Sequence, residues 1–295
     1  MTTSSNRFVV LQGWAVVDGY QPDGDTVRFV PEEMRAFQAL ERSQLASVGK
    51  DTSVCVRLEG IDAPELHYEG AQQPAAKPAL DALLRGIHWP VGPAAAAASA
   101  AEEGSPRARR GVPRGVRVAV LTKGCDSHGR AIGYVFAEEI AKAMPSAERL
   151  VRVEALAGCV NAQLVASGVA YPLAYESQPP AHRALFRALG GKARDARAGV
   201  WGRDESRSGF VLRSASSLGP HGALVYPKLF RRSVAFWRDA ARGMSFCAWL
   251  REKSGADDEV SVGGGAWRRL STLLRESGER VRLGADVLEM VFAGT

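Results

Sequence analysis

The sequence predicts a small closed β-barrel accompanied by helices, an α+β fold, followed by a helix-rich C-terminal region. Short runs of alternating apolar and polar residues recur in the first half of the chain, as expected for half-buried strands. Helical patterns interrupt and follow these runs in the order three strands, one helix, two strands and two helices. Five short strands in that order suit a Greek-key barrel.

The first three predicted strands form the opening half of this barrel. Residues 8–17 form one apolar run that could be bulged at Gly13, and a turn follows. Residues 25–30 and 52–61 alternate with period two, so each has one apolar face. Between them, residues 31–50 carry apolar residues at helical spacing and predict an inserted amphipathic helix.

The second half of the barrel consists of two further strands and flanking helices. The predicted strands cover 114–123 and 130–136, and a tight turn joins them. The predicted helices cover 72–86, with a late start because of two prolines, 160–167, and 181–198, which is expected to break or kink near Gly190.

The bulk composition is compatible with several classes of binding partner and excludes few of them. The chain has 295 residues, 46% of them hydrophobic, which is ordinary for one large or two smaller globular domains. Lys and Arg outnumber Asp and Glu by 38 to 32, and the excess lies mainly in residues 207–295, with 14 basic against 9 acidic residues. A polyanionic partner suits this balance but is not required by it.

Cysteine spacing and the absence of long apolar runs suggest an intracellular protein without a zinc site. No CxxC pair occurs, and the four cysteines are scattered as Cys55, Cys125, Cys159 and Cys247. The N-terminal residues lack the pattern of a signal peptide, and no run of 18 apolar residues exists. We therefore expect a cytoplasmic protein with reduced thiols and no membrane span, and we expect a monomer.

Acidic residues and arginines cluster beside strand and turn signals. Asp62 and Glu65 follow the third strand, which carries Arg57, while Asp25 begins the second strand and Arg130 begins the fifth. Three acids and two arginines are what metal-assisted attack on a phosphodiester requires, because acids hold a hard cation, arginines hold a phosphate, and one acid can handle a water. Taken singly, each residue has a simpler explanation as a turn, a helix start or a surface ion pair.

Five sequence blocks in one order resemble the staphylococcal nuclease-like (thermonuclease) family. They are DGDTV at 23–27, RLEGIDAPE at 57–65, DSHGR at 126–130 followed by AIGYV, V-N-x-x-L-V-x-x-G-x-A at 160–170, and A-x(5)-G-x-W at 193–201. The resemblance spans residues 8–206, with insertions near 32–50, 90–114 and 139–155. We expect the arginines of the 90–114 insertion to form a solvated surface loop.

The resemblance implies an OB-type five-stranded Greek-key barrel with about three helices. It also implies a calcium-dependent nuclease that acts on single-stranded DNA and on RNA. The implied ligands of one calcium ion are Asp25, Asp62 and the backbone carbonyl of Ala63. The implied catalytic residues are Arg57 and Arg130, which would hold the scissile phosphate, and Glu65, which would be the general base or at least position the attacking water.

Some positions leave alternatives open. Tyr175 could stack on a base or contact a phosphate, or it could simply pack against its neighbours. His128 stands where the family often has Tyr or Trp; it could touch a phosphate or lie exposed in a turn. Asp23 could shape its turn or lie outside the direct ligands of the metal. The rival function for the whole domain is a non-catalytic module that binds nucleic acid or a protein ligand.

The C-terminal region resembles no family that we recognise. Residues 207–218 are rich in Ser, Gly and Arg and predict a linker, and 219–295 predict a basic, mostly helical accessory domain. Helices are expected at 227–242, 245–253 and 267–277, and a short strand or helical turn at 287–292. Basic charge and interleaved aromatics suit nucleic-acid binding, and a packing or interaction module suits the same pattern. We expect a 1–206 fragment to fold and to cut an oligonucleotide.

Overall fold

The computed structural model describes residues 7–90, 115–144, 148–150, 152–239 and 243–294. The described residues divide into two compact units, one formed by 7–59 and the described part of 80–164, the other by 60–79 and the described part of 165–294. Within the described ranges, no helix is both long and apolar enough to cross a membrane.

The strands of both units are short except in the barrel. In chain order they are β1 (Arg7–Val16), β2 (Thr26–Pro31), β3 (Val54–Leu58), β4 (Ile61–Asp62), β5 (Val116–Cys125), β6 (Ala131–Ala137), β7 (Glu148–Leu150), β8 (Tyr171–Pro172), β9 (Ala174–Tyr175), β10 (Phe210–Val211), β11 (Glu259–Val262), β12 (Arg268–Arg269), β13 (Leu274–Ser277), β14 (Arg280–Leu283) and β15 (Met290–Phe292).

The α-helices are α1 (Met34–Gln38), α2 (Ala76–Gly86), α3 (Glu138–Lys142), α4 (Val153–Leu156), α5 (Val160–Ala166), α6 (Pro180–Asp195), α7 (Pro227–Arg238), α8 (Phe246–Glu252) and α9 (Leu270–Leu273). Single 3-10 turns lie at Ser43–Leu45, Gly199–Gly202, Ala215–Leu218 and Val287–Glu289.

The first unit contains the predicted closed barrel. Its strands pair in the order β1, β2, β3, β6, β5, and β5 pairs with β1 to complete the closure. The β3–β6 pairing is parallel and the others are antiparallel. Alternation explains the inner face: Val54, Val56 and Leu58 of β3 are almost fully buried while the residues between them are partly exposed. The OB-type fold expected from the sequence is confirmed.

Two sequence expectations for the first unit need correction. The amphipathic helix predicted over 31–50 is only the five-residue α1 and one 3-10 turn. The suggested bulge at Gly13 is absent from the described pairing, because the register of β1 with β5 is continuous through that residue and the pairing of β1 with β2 begins there. The insertion predicted over 90–114 falls, apart from residue 90, outside the described residues.

The second unit has its own aromatic core. Tyr171, Tyr226 and Phe292 are buried and in mutual ring contact, with centroids 5.5 Å apart for the first two and 6.4 Å for the last two. Helix α6 runs without interruption through Gly190, where a break was expected. A side chain at Gly190 would collide with Pro172 of β8, so glycine permits close packing there and does not end the helix.

The C-terminal region contributes helices and short strands to this second unit. Helices α7 and α8 confirm two predicted helices, whereas the helix predicted over 267–277 is wrong. That segment is β12, the single-turn α9 and β13, and the two-residue connection that begins at Gly278, with a φ of 56°, returns the chain as β14.

The predicted linker over 207–218 also belongs to the compact part of the second unit. It supplies β10 and a 3-10 turn, and its Phe210 and Leu218 are buried at 1% and 2% exposure. Folding of residues 8–206 without residues 207–295 stays a prediction. The buried side chains of Phe210 and Leu218 are part of what residues 207–295 contribute to the core of the second unit.

Candidate functional site

The first unit places Asp25 and Arg57 in direct contact. Asp25 ends the turn before β2 and is 4% exposed, and Arg57 lies on β3, which pairs with β2. The Arg57 guanidinium forms an ion pair with the Asp25 carboxylate. The Leu58 amide donates to the Asp25 carbonyl oxygen at 2.8 Å, so the turn is fixed to the end of β3. The carboxylate therefore orients the guanidinium.

A second acid–arginine pair lies at the start of β6. The Asp126 carboxylate accepts backbone hydrogen bonds from His128 at 3.0 Å and Arg130 at 2.9 Å, which closes the turn between β5 and β6. Its other oxygen accepts from the Arg130 side chain, with Nε at 2.9 Å and Nη2 at 2.8 Å. Asp126 thus builds the turn and holds the guanidinium that follows it.

The parallel pairing of β3 with β6 brings the two arginines to neighbouring strands. Arg57 is paired with Ile132, two residues after Arg130. Burial raises the pKa of the partly exposed Cys55 thiol, and the positive charges of Arg130, Arg28 and Arg57 oppose that rise, so these guanidiniums act on the same sulfur. The two arginines form one basic locus in the first unit.

Asn161 on α5 secures the barrel beside this locus. Its side-chain oxygen accepts from the Val135 amide at 2.9 Å, and its side-chain nitrogen donates to the carbonyl oxygens of Glu59 at 2.9 Å and Gly133 at 3.0 Å. The residue is fully buried, so these bonds satisfy groups that water cannot reach. Asn161 accordingly locks the ends of β3 and β6 to each other.

The remaining predicted site residues lie in the second unit, just after the chain leaves β3. Gly60 adopts a φ of 81°, which favours glycine, and its carbonyl oxygen accepts from the Leu173 amide at 2.9 Å. β4 then pairs with β8, so that Asp62 lies opposite Tyr171. Asp62 is fully buried, and Ala63 is 1% exposed.

An arginine that the sequence analysis did not single out binds both acids of this segment. Arg231 of α7 donates from Nη1 and Nη2 to the two carboxylate oxygens of Asp62, at 3.0 Å and 2.9 Å. The same Nη1 also donates to the carboxylate of Glu65. The Asp62 contact is a two-pronged, charge-assisted pair, the geometry in which arginine binds carboxylates most strongly.

The loop that carries Glu65 is tied to the beginning of α7 through Gln73. The buried Gln73 side chain accepts from the Glu65 amide at 3.1 Å and donates to the Val225 carbonyl oxygen at 2.8 Å. The Gln73 amide also donates to the Glu65 carbonyl oxygen at 2.8 Å. The position of Arg231 relative to the two acids is therefore supported by neutral hydrogen bonds as well as by charge.

The electrostatics of this cluster keep Arg231 charged. Burial by itself would lower its pKa, but the charges of Asp62 and Glu65 outweigh burial and raise the pKa well above the ordinary arginine value. Burial, together with the Asp62 charge, also raises the pKa of the Tyr226 hydroxyl well above its usual range. At neutral pH, Arg231 is therefore a cation and Tyr226 is neutral.

The two candidate substrate contacts, His128 and Tyr175, occupy different settings. His128 is exposed in the β5–β6 turn. Tyr175 is half-buried on β9, with its ring centroid 6.2 Å from that of Phe292 and 5.5 Å from Nζ of Lys228. Packing accounts for the position of Tyr175, and a role for either residue in substrate binding stays a prediction.

The donor chemistry suits calcium, but the arrangement does not present a ready cage. Calcium prefers hard oxygen ligands such as the predicted carboxylates and carbonyl. However, both Asp62 oxygens accept hydrogen bonds from Arg231, and Asp25 is engaged by Arg57. Among the described residues, no group of three or more acidic, histidine or cysteine side chains is assembled that could hold a metal. In this arrangement the residues therefore do not fit the ion.

Four supporting residues were missed as functional residues by sequence reasoning: Asp126, Asn161, Gln73 and Arg231. Asp126 and Asn161 lie inside the recognised sequence blocks. For Asp126 a local signal exists, because an Asp followed by a turn and by an Arg four residues later indicates an acid that closes the turn and binds the arginine. Gln73 and Arg231 carry no local signal, because their partners are set by packing within the second unit.

The barrel thus carries Arg57 and Arg130 on adjacent strands, each held by an acidic side chain. The family model described as "Staphylococcal nuclease homologue" matches residues 55–203, just over half of the chain. The protein therefore belongs to the staphylococcal nuclease-like family, whose members are nuclease-like or bind nucleic acid. The first acidic block at 23–27 precedes the matched range. No curated protein matches this sequence.

Proposed function

We propose that this protein is a calcium-dependent nuclease that hydrolyses phosphodiester bonds in single-stranded DNA and in RNA. Support comes from family membership together with the full set of predicted catalytic residues. A fold by itself does not specify an activity, so the proposal depends on particular side chains.

The observation that carries the proposal is the basic locus of Arg57 and Arg130. The two arginines come from adjacent parallel strands, and each is oriented by its own carboxylate, Asp25 or Asp126. A surface arginine that merely improved solubility would need no such partner. Pre-oriented guanidiniums suit a phosphate, because each can donate two parallel hydrogen bonds to its oxygens.

The chemistry assigned to these residues follows from the charge of the substrate. A phosphodiester is anionic and repels an incoming hydroxide, and the five-coordinate transition state carries more negative charge than the ground state. Guanidiniums fixed beside that charge stabilise the transition state, and removal of one such contact commonly slows a reaction about 10²–10³-fold. Glu65 would orient a water and accept its proton. Calcium, if Asp62 were released from Arg231 to hold it, would add positive charge to the site.

A non-catalytic binding module is the alternative from a different class. It would use the same barrel and arginines to hold a single strand without cutting it. The engagement of Asp62 and Glu65 by Arg231 is the specific observation that favours this alternative. The presence of a general-base candidate and of both expected carboxylate ligands favours the enzyme.

One assay separates the two functions. A 5′-labelled single-stranded DNA and an RNA of equal length are incubated with purified full-length protein, in calcium and in chelator. Samples are then run on native and on denaturing gels. The proposal expects shortened products in calcium alone. A native mobility shift with intact strands under all conditions would establish the binding module and overturn the nuclease.

A further inference from the structure

We infer that Arg231 is an internal cation that competes with a divalent cation for Asp62 and Glu65. When Arg231 binds the two carboxylates the acidic site is closed, and when it withdraws the site is open to metal. The inference rests on the proposed function in so far as that function assigns Asp62 to a calcium ion. It adds a regulatory role for the C-terminal region, which carries Arg231.

The hydrogen-bond geometry supports competition. A metal ligand must offer a carboxylate oxygen, yet both oxygens of Asp62 accept from Arg231, at 3.0 Å and 2.9 Å. The guanidinium also bridges to Glu65, three residues further on. One cation that bridges two neighbouring carboxylates occupies the place that a divalent ion would take.

The contact is built into the fold and differs from an ordinary surface pair. Asp62 is fully buried, and the Arg231 and Glu65 side chains are 21% and 13% exposed. On the same helix, Arg238 pairs with Glu69, but those side chains are 58% and 40% exposed. Exposed pairs contribute little and exchange readily with water, whereas a guanidinium that is only 21% exposed and holds a fully buried carboxylate exchanges less readily.

The helix that delivers Arg231 is anchored independently of the acids. Pro227 begins α7, and the Tyr226 amide just before it donates to the Ser206 hydroxyl at 2.7 Å. Phe230, the neighbour of Arg231, is 1% exposed and lies edge-on to Tyr68 with centroids 6.4 Å apart. Arg231 can therefore change its rotamer while the helix stays in place.

The effect on metal affinity follows from the closed population. If the open state makes up about 1–10% of molecules, the apparent calcium dissociation constant is raised about 10–100-fold over the intrinsic value. Removing the guanidinium while keeping a side chain of similar size should abolish that penalty. Arg231→Met does this, and Arg238→Met on the exposed end of the same helix is the matched control.

The test is a calorimetric titration of calcium into chelator-treated, full-length protein. Arg231→Met should bind calcium at least about tenfold more tightly than the wild type, and Arg238→Met should match the wild type. Arg231→Lys keeps the positive charge but lacks the two-pronged guanidinium, so its calcium affinity should lie between those of the wild type and Arg231→Met. Equal or weaker calcium binding by Arg231→Met would overturn the inference, since Arg231 would then be neutral toward the metal or a brace for its ligands.

A thermal readout keeps the test decisive if Arg231→Met is unstable. Competition expects calcium to raise the midpoint of unfolding more in Arg231→Met than in the wild type, because metal replaces the missing cation. An equally small calcium-induced rise of the unfolding midpoint in both proteins would contradict competition. If neither protein binds calcium, the inference fails together with the calcium requirement. Cleavage of single-stranded DNA in chelator then shows whether the nuclease proposal survives without it.

Discussion

The ion pair between Arg231 and Asp62 provides the sharpest prediction for stability. Arg231→Met leaves a fully buried carboxylate without two charge-assisted hydrogen bonds and leaves Glu65 without a third. Removing one partner of a buried pair costs about 3–5 kcal/mol. For a unit of about 150 residues, where each kcal/mol moves the midpoint by about 2–4 °C, the unfolding temperature should fall by roughly 6–20 °C.

A double-mutant cycle isolates the pair from other effects of the substitution. Arg231→Met, Asp62→Asn and the double variant are unfolded with urea in chelator, and unfolding is followed by tryptophan fluorescence and circular dichroism. The double variant should be less destabilised than the sum of the single variants by more than about 1 kcal/mol. Arg238→Met should change stability by less than about 1 kcal/mol. Additive single effects, or a near-neutral Arg231→Met, would refute the pairing described above.

Four further predictions concern the chemistry, the pH dependence and the boundary of the folded unit. Arg57→Lys and Arg130→Lys should each lower the initial rate of single-strand cleavage about 10²-fold without unfolding the protein; full activity in either variant would show that the guanidinium fork is not needed there. Glu65→Gln should bind substrate normally and hydrolyse it slowly, and a wild-type rate would remove Glu65 from the reaction. Burial raises the pKa of Glu59 to about 7 from 4.5, so the folded state binds this proton more tightly than the unfolded state and stability is lost as the pH rises through about 7. Glu59→Gln should therefore be more stable than the wild type by up to about 3 kcal/mol at about pH 8 and equally stable near pH 4. Equal urea midpoints for the variant and the wild type at both pH values would contradict this. A 1–206 fragment loses Tyr226 and Phe292 from the core of the second unit, so it should be insoluble or inactive beside an active full chain; a folded, active fragment would instead support the domain boundary expected from the sequence.

The barrel could be predicted from sequence because its information is local. Alternation in β3 separates Val54, Val56 and Leu58 from the residues that face outward, and the same period marks the other barrel strands. The acidic and basic motifs lie at strand ends and turns, where short-range signals are strongest. The pairings Arg57–Asp25 and Arg130–Asp126 then follow from strand register and turn geometry.

The C-terminal region shows where local patterns mislead. Leu270, Leu273 and Leu274 are spaced as on a helix, but only one helical turn forms before the chain enters β13. The decisive signal was Gly278 followed by Glu279 and then a strand from Arg280 in which Val281 and Leu283 alternate, which favours a tight hairpin. The predicted helix over 267–277 therefore extended a helical period across the boundary where β13 begins.

The pairing of Arg231 with Asp62 could not have been predicted from sequence at all. The two residues are 169 positions apart, and arginines are common on the exposed faces of helices such as α7. Only the packing of Tyr226 and Phe230, and the bond from Gln73 to Val225, fixes which arginine meets the buried acid. Such a partner is set by tertiary structure, which overrides local pattern.

The most direct test of the proposed function is the initial rate of single-stranded DNA cleavage by the full chain across a calcium series. The Arg57→Ala/Arg130→Ala double variant serves as the control. The account predicts a rate that rises with calcium, vanishes in chelator, and falls at least about 10²-fold in the double variant. Intact DNA at every calcium concentration, or equal rates in the wild type and the double variant, would contradict it.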